Sequence, residues 1–221
     1  ARICDALLES LNDLPTDPDA IAERGFEATA QRARSCELLL AVEDSTSRAY
    51  RHSVAGALGT TSRNPTSVNK GFMVHSVVLL DGCTGATVGL IEQRRWIRVA
   101  ADYGKSNDRK RRAYEDKESF KWQQAGQAVR ARLGEALSQR AIAVCDREAH
   151  ISEYLLWQET VGGRYVVRAA GDRRLCDTQQ GLWESLAQAP WLGSHEIQIP
   201  QRGGRPARSA QLSVRAQVVE I

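Results

Sequence analysis

The chain has 221 residues, 42% hydrophobic and 26% charged, with a formal net charge of +3 at pH 7, enough for a full core in one large domain or one domain plus an appendage. No apolar run approaches the roughly 18 to 20 residues that span a bilayer, and the amino end lacks a basic segment followed by a long apolar stretch, so neither membrane insertion nor secretion is expected. Cys4, Cys36, Cys83, Cys145 and Cys176 are odd in number, scattered and without CxxC spacing, which argues against a disulfide framework or a structural zinc site and for a reduced, cytoplasmic setting.

The chain opens at Ala1 and stops at Ile221 inside an alternating run, and both ends read as cut. An early "CDALLESL" suits a short helix. From Asp19 to Arg34 the Ala, Glu, Gln and Arg content predicts a helix, approached through Pro15 and Pro18. Leu38 to Val42 then form a short apolar run suited to a strand buried on both faces, ended by Glu43 and Asp44. After a polar segment through Asn69, "GFMVHSVVLLDG" and "ATVGLIEQRRWIRV" read as a hairpin.

Positions 98 to 116 are charged and turn-like. Behind a candidate cap at Asp116, Trp122, Ala125, Val129, Leu133 and Ala136 recur at helical spacing, with Gly126 and Gly134 as weak points. A strand in "IAVCDREAH", a helix in "HISEYLLWQE" and a strand in "GRYVVRAAG" follow. The order of strands and helices predicts an α/β fold whose central strands share a mixed sheet. Beyond Leu182, "EIQIPQRGG" and "QLSVRAQVV" are β-like runs around a Gly, Arg and Pro loop, more like an inserted β-element than a continuation.

Asp44 and Asp146 both end short apolar strands that could be neighbours in one sheet. Two such carboxylates repel unless a divalent cation lies between them, and hard oxygen ligands suit Mg²⁺ or Mn²⁺. The plain alternative is a pair of loop caps. Positive charge gathers in "KSNDRKRRAYEDKESFK" and "QRGGRPARSAQLSVR", local surfaces that suit a polyanion, although a charged run is more often a plain solvated loop.

Longer blocks carry a resemblance. "LLAVEDSTSRAYRHSVAGALG", "GFMVHSVVLL", "TVGLIEQRRWIR", "DKESFKW", "IAVCDREAHISEYL", "RYVVRAAG" and "IQIPQRGGRPARSAQLSVR" resemble, in order and spacing, the cut-and-paste DDE transposases of the insertion-sequence-four family, particularly the Tn-five type. The resemblance runs from about Asp19 to the end. It implies an RNase H-like mixed sheet with flanking helices, and it divides the chain into the end of an N-terminal helical region (1–35), a catalytic core (36–181) and the start of an inserted β-subdomain (182–221).

By the same resemblance, Asp44 and Asp146 are the first two catalytic, metal-binding acids. The implied cofactor is Mg²⁺, replaceable by Mn²⁺. The implied partners are double-stranded DNA at transposon ends and targets, and a second copy of the full-length protein in a synaptic complex, within a prokaryotic, nucleoid-associated setting. The family's third acid lies in a Tyr, Arg, Glu, Lys signature that these residues do not contain, and neither Glu148 nor Glu220 is placed to replace it. Activity of this chain alone is therefore not expected. A non-catalytic DNA-binding or regulatory remnant is the alternative reading, and a generic metal nuclease of the same fold is another.

Arg51, Arg147, Arg168 and, more weakly, Lys121 fall at matched positions and are candidate phosphate contacts, against structural pairing with Glu148 or Asp172 for Arg147 and Arg168. His52, His75, His150 and His195 lack metal-ligand spacing, and His75 reads as a satisfied strand residue. Ser45, Thr46 and Ser47 show no matched His and Asp for nucleophilic catalysis. Cys145, Trp96, Trp122 and Trp157 read as core.

Overall fold

The computed structural model describes residues 17–51, 55, 58–62, 69–98 and 111–220. The helix expected in "CDALLESL", Cys4, His52 and the amino half of the first basic cluster lie outside the described residues. Two compact units are present, one through Arg168 and the other from Ala169.

In the first unit, helix α1 (Pro18–Ala33) starts where the Asp17 carboxylate accepts the N–H of Asp19 at 2.9 Å, and where Pro18 lacks only a donor that the helix leaves unused. Strand β1 (Leu39–Tyr50) pairs antiparallel with β3 (Lys70–Asp81) along its whole length. A two-residue β2 (Gly59–Thr60) joins the start of β3, and β4 (Thr87–Trp96) runs antiparallel to β3. Between β3 and β4, the Asp81 carboxylate accepts the N–H groups of Cys83 and Thr84 at 2.8 and 3.1 Å, which holds it below the usual carboxylate range. Gly85 closes that turn at φ 74°, a conformation glycine adopts without a Cβ clash.

Helix α2 (Lys121–Ser138), strand β5 (Ala141–Cys145), helix α3 (Ser152–Thr160) and strand β6 (Arg164–Val167) complete the unit. Strand β5 lies parallel to β1 and β6 parallel to β5. The fold is thus α/β, with a mixed sheet in the order β4, β3, β1, β5, β6 and flanking helices.

Strand alternation decides which face the helices cover. Leu39, Ala41, Val77, Leu79 and Ile91 point to one side and pack with Ala33 of α1 and Ala125, Val129 and Leu133 of α2. Each valine, leucine or isoleucine side chain taken wholly out of water there contributes about 1.5 to 3 kcal/mol. A second cluster joins Trp122, Cys145, Ala149 and Tyr154 on the same side. On the other face, Leu40, Val42, Val78, Ile142 and Val144 are half-buried and Asp44 is exposed.

Several details depart from the sequence expectations. The first strand runs to Tyr50 rather than stopping at Val42, because its polar half stays paired residue for residue with β3. Asp116 caps no α-helix; residues Tyr114–Asp116 and Glu118–Phe120 form two short 3-10 turns, and α2 begins at Lys121. Gly134, at φ 69° and ψ 172°, kinks α2 near its end.

The second unit contains helix α4 (Leu182–Gln188) and a hairpin of β7 (Trp191–Ile199) and β8 (Arg208–Arg215). The two β-like runs of the sequence fall in that hairpin, whereas α4 had no counterpart among the expected elements. At its loop, Arg202 and Arg205 exchange backbone N–H to carbonyl bonds of 3.2 Å, and Arg202, Arg205 and Arg208 are exposed. No helix among the described residues is long and apolar enough to cross a membrane.

Candidate functional site

The parallel register of β1 and β5 runs from Leu39 opposite Ala141 to Glu43 opposite Cys145, and that of β5 and β6 ends with Cys145 opposite Val167. One residue further along each strand stand Asp44, Asp146 and Arg168. Asp146 keeps an extended backbone (φ −77°, ψ −176°), and the Arg168 N–H donates to the Cys145 carbonyl at 3.1 Å, so the level set by the ladder carries past its last pair. Neighbouring strands lie about 4.8 Å apart and level residues share a face. Asp44, Asp146 and Arg168 therefore form an exposed row across the carboxyl ends of the parallel strands, the edge where open α/β sheets hold ligands.

The row continues on the antiparallel side. Ser76 is opposite Asp44 and Gln93 is opposite Ser76, and the Gln93 amide donates to the Ser76 hydroxyl at 3.3 Å. The Asp146 carboxylate accepts the Glu148 N–H at 2.8 Å and so caps the 3-10 turn Arg147–Ala149. This fixes the aspartate at the strand exit. One carboxylate oxygen is committed to the turn, and the group keeps an exposed position.

Behind the row, on the helix-covered face, the preceding residues are buried. Glu43 is 3% exposed and His75 is fully enclosed. The Glu43 carboxyl lies 3.3 Å from His75 Nε2, and His75 Nδ1 lies 2.9 Å from the Ser45 hydroxyl. Burial pushes the Glu43 carboxyl up to about 8, because a charge there loses its hydration. His75 is pushed down to about 3, first by burial and then by the positive charges of Lys121 and Arg94. At neutral pH both groups are thus uncharged, and the two ring nitrogens pair with the Glu43 carboxyl on one side and the Ser45 hydroxyl on the other.

Residue spacing alone held no sign that Ser45 has a histidine and an acid in line. Such a chain of groups resembles the arrangement of nucleophilic hydrolases, but the imidazole is sealed beneath the ring edge of Trp122, 4.6 Å away between centroids. Its depressed basicity and enclosure suit a structural clamp. Strand alternation was the signal available for Glu43: with Ala41 directed inward, the residue two places on must follow it.

The remaining candidates are dispersed. Arg51 is exposed immediately after β1, roughly 23 Å from Asp44 at the rise of an extended strand. Arg147 is exposed on the 3-10 turn beside Asp146. Lys121 opens α2 with its side chain only 10% exposed, its ammonium 3.4 Å from Glu148 and above the rings of Trp96 and Trp122. Asp172, in the second unit, accepts the Trp183 N–H at 2.9 Å. Among the described residues no group of three or more His, Cys, Asp or Glu side chains is disposed to hold a metal ion. No family model matches the chain.

Proposed function

We propose that this chain is the catalytic core of a cut-and-paste DDE transposase with an RNase H-like fold, acting on DNA by metal-dependent phosphoryl transfer. The observation that carries this reading is the level placement of Asp44 and Asp146 at the exits of two adjacent parallel strands. The strand order, with three antiparallel strands followed by two parallel ones, supports it, as do the long sequence blocks from "LLAVEDSTS" to "IAVCDREAH".

Two exposed carboxylates on one face fit a hard divalent cation such as Mg²⁺ or Mn²⁺, whose other positions take water and phosphate oxygens. When bound in pairs, such ions activate an attacking oxygen and stabilise the leaving one in an in-line displacement. Asp44 and Asp146 hold the cation side of the site. Arg168, at the same level, carries a planar guanidinium suited to two phosphate oxygens at once, and Arg147 lies on the adjoining turn. Glu148 keeps its tie to Lys121.

The Tyr, Arg, Glu, Lys signature that supplies a third acid in this family does not occur in these 221 residues. We infer that the chain by itself binds DNA and metal but does not cut. The test is incubation of a labelled transposon-end duplex with Mg²⁺ and either this chain or a frame extended through a segment with that signature. Nicked, hairpin and strand-transfer products from the extended protein, all lost in Asp146→Ala, are expected. If the extended protein yields none, or Asp146→Ala still yields them, the enzymatic reading fails. Duplex binding without cleavage by either form would instead establish the non-catalytic reading.

A further inference from the structure

Asp44 stands where β1 changes its surroundings. Up to Glu43 the strand is paired on both sides, with β3 and with β5; β5 ends at Cys145, and from Asp44 to Tyr50 the paired neighbour among the described residues is β3 alone. A strand that loses one neighbour is free to twist or bulge at that point, and a shift of a single residue would turn Asp44 to the opposite face. The β3 ladder runs unbroken through Asp44, and a further tie from β3 on the covered face would hold the pleat there more firmly, keeping Asp44 level with Asp146.

The imidazole of His75 is placed to do this. It reaches Glu43, the residue before Asp44, at 3.3 Å and Ser45, the residue after it, at 2.9 Å. It comes from β3 directly opposite Ser45, and the edge-on ring of Trp122 from α2 closes over it. One rigid ring therefore ties both neighbours of Asp44 to the covered face, which leaves Asp44 directed to the exposed face. We propose that His75 is a positioning residue for Asp44, holding its carboxylate at the level of Asp146 through paired hydrogen bonds to Glu43 and Ser45. This rests on the reading of Asp44 and Asp146 as cation ligands.

The experiment is Mn²⁺ binding to the 221-residue chain, followed by the electron paramagnetic resonance of free Mn²⁺, with a thermal melt of each variant. In the wild type a Mn²⁺ site is expected that Asp44→Asn abolishes. His75→Phe keeps a cooperative melt and weakens Mn²⁺ binding by about tenfold, the lower end of what loss of an outer-shell hydrogen bond costs a metal site. Ser45→Ala and Glu43→Leu each remove one arm and weaken binding too, whereas Glu43→Gln keeps a hydrogen-bonding partner for His75 and holds wild-type affinity.

A clamp that served stability alone would lower the melting temperature without moving the Mn²⁺ affinity of the folded protein. If folded His75→Phe binds Mn²⁺ as the wild type does, while Asp44→Asn has lost it, the positioning role is overturned and the metal site stands. Should His75→Phe not fold, wild-type affinity in both Ser45→Ala and Glu43→Leu overturns it equally. If the wild type binds no Mn²⁺, or Asp44→Asn binds it unchanged, the metal site and the positioning role both fall.

Discussion

Glu43 and His75 face each other at 3.3 Å with neither side chain more than 2% exposed, and their protons set opposite limits on stability. Unfolded, the carboxyl releases its proton near 4.5 and the imidazole near 6.5; folded, those values become about 8 and about 3. Between pH 6.5 and 8 the folded state holds the extra proton, on Glu43, so stability falls as pH rises. Between pH 4.5 and 3 the unfolded state holds the extra proton, on His75, so stability falls as pH drops. From 4.5 to 6.5 the two effects cancel. The pair thus contributes a plateau with a decline on either side. Urea unfolding across pH should show the alkaline decline reduced in Glu43→Gln, and an unchanged decline would refute the neutral pair.

Arg132 of α2 ties together α1 and β4. Its guanidinium donates to Glu23 at 2.6 and 2.8 Å, to the Ile91 carbonyl at 3.1 Å, and to the buried carboxylate of Glu92. Glu23 is half-exposed and contributes little, but Glu92 is 6% exposed and depends on this partner. Arg132→Met leaves that charge unpaired and should cost about 3 kcal/mol in urea unfolding. Replacing both groups, as Arg132→Met with Glu92→Leu, should recover most of the loss, since an apolar pair carries no desolvation cost. A double variant no more stable than the single one would count against this account.

Two glycines of α2 should resist alanine for opposite reasons. At Gly134 a Cβ meets nothing within 4 Å, but φ is 69° and ψ 172°; Gly134→Ala should cost about 1 to 3 kcal/mol, the strain of a backbone region that is essentially glycine's alone. At Gly126 the conformation is helical and alanine would be favoured locally, yet its Cβ would come within 2.7 Å of the Trp157 ring. Gly126→Ala should therefore destabilise through packing and be relieved by Trp157→Leu, whereas Gly134→Ala should not. Paired melting curves distinguish the two.

Arg168 lies at the acid pair and Arg51 well away from it. If the exposed row takes a phosphate, Arg168→Ala should weaken duplex binding uniformly across sequences and reduce the slope of log affinity against log salt by about 1. A fluorescence anisotropy titration at several salt concentrations measures this. An unchanged slope would remove Arg168 from the DNA surface without touching the role of the acids.

Much of this architecture was legible in the residues. Trp122, Ala125, Val129 and Leu133 recur at helical spacing and are buried, whereas Ala136, expected on the same stripe, is exposed beyond the kink at Gly134; the runs around Val77 and Ile91 pair as β3 and β4. What was not legible depended on partners distant in sequence. The polar stretch from Ser45 to Tyr50 is strand only because β3 pairs with it. Helix α2 starts late because Tyr114 and Phe120 pack edge to face, 5.1 Å apart, over two tight turns. The level meeting of Asp44 with Asp146 follows from a register that neither strand carries alone. The Ser45, His75 and Glu43 cluster joins two strands whose mutual register the sequence did not disclose.

The early end of β5 has a further consequence. Where β1 runs on beside β3 alone, one rim of backbone N–H and carbonyl groups, from Ser45 to Tyr50, lies without a strand partner among the described residues. Such a rim is a template for another chain in extended conformation, the usual start of sheet-to-sheet aggregation. Exposed Arg48 lies within it and exposed Arg51 just past its end, and like charge meeting like charge across two copies opposes that self-pairing. Neutralising both would be expected to lower solubility before it lowered the melting temperature.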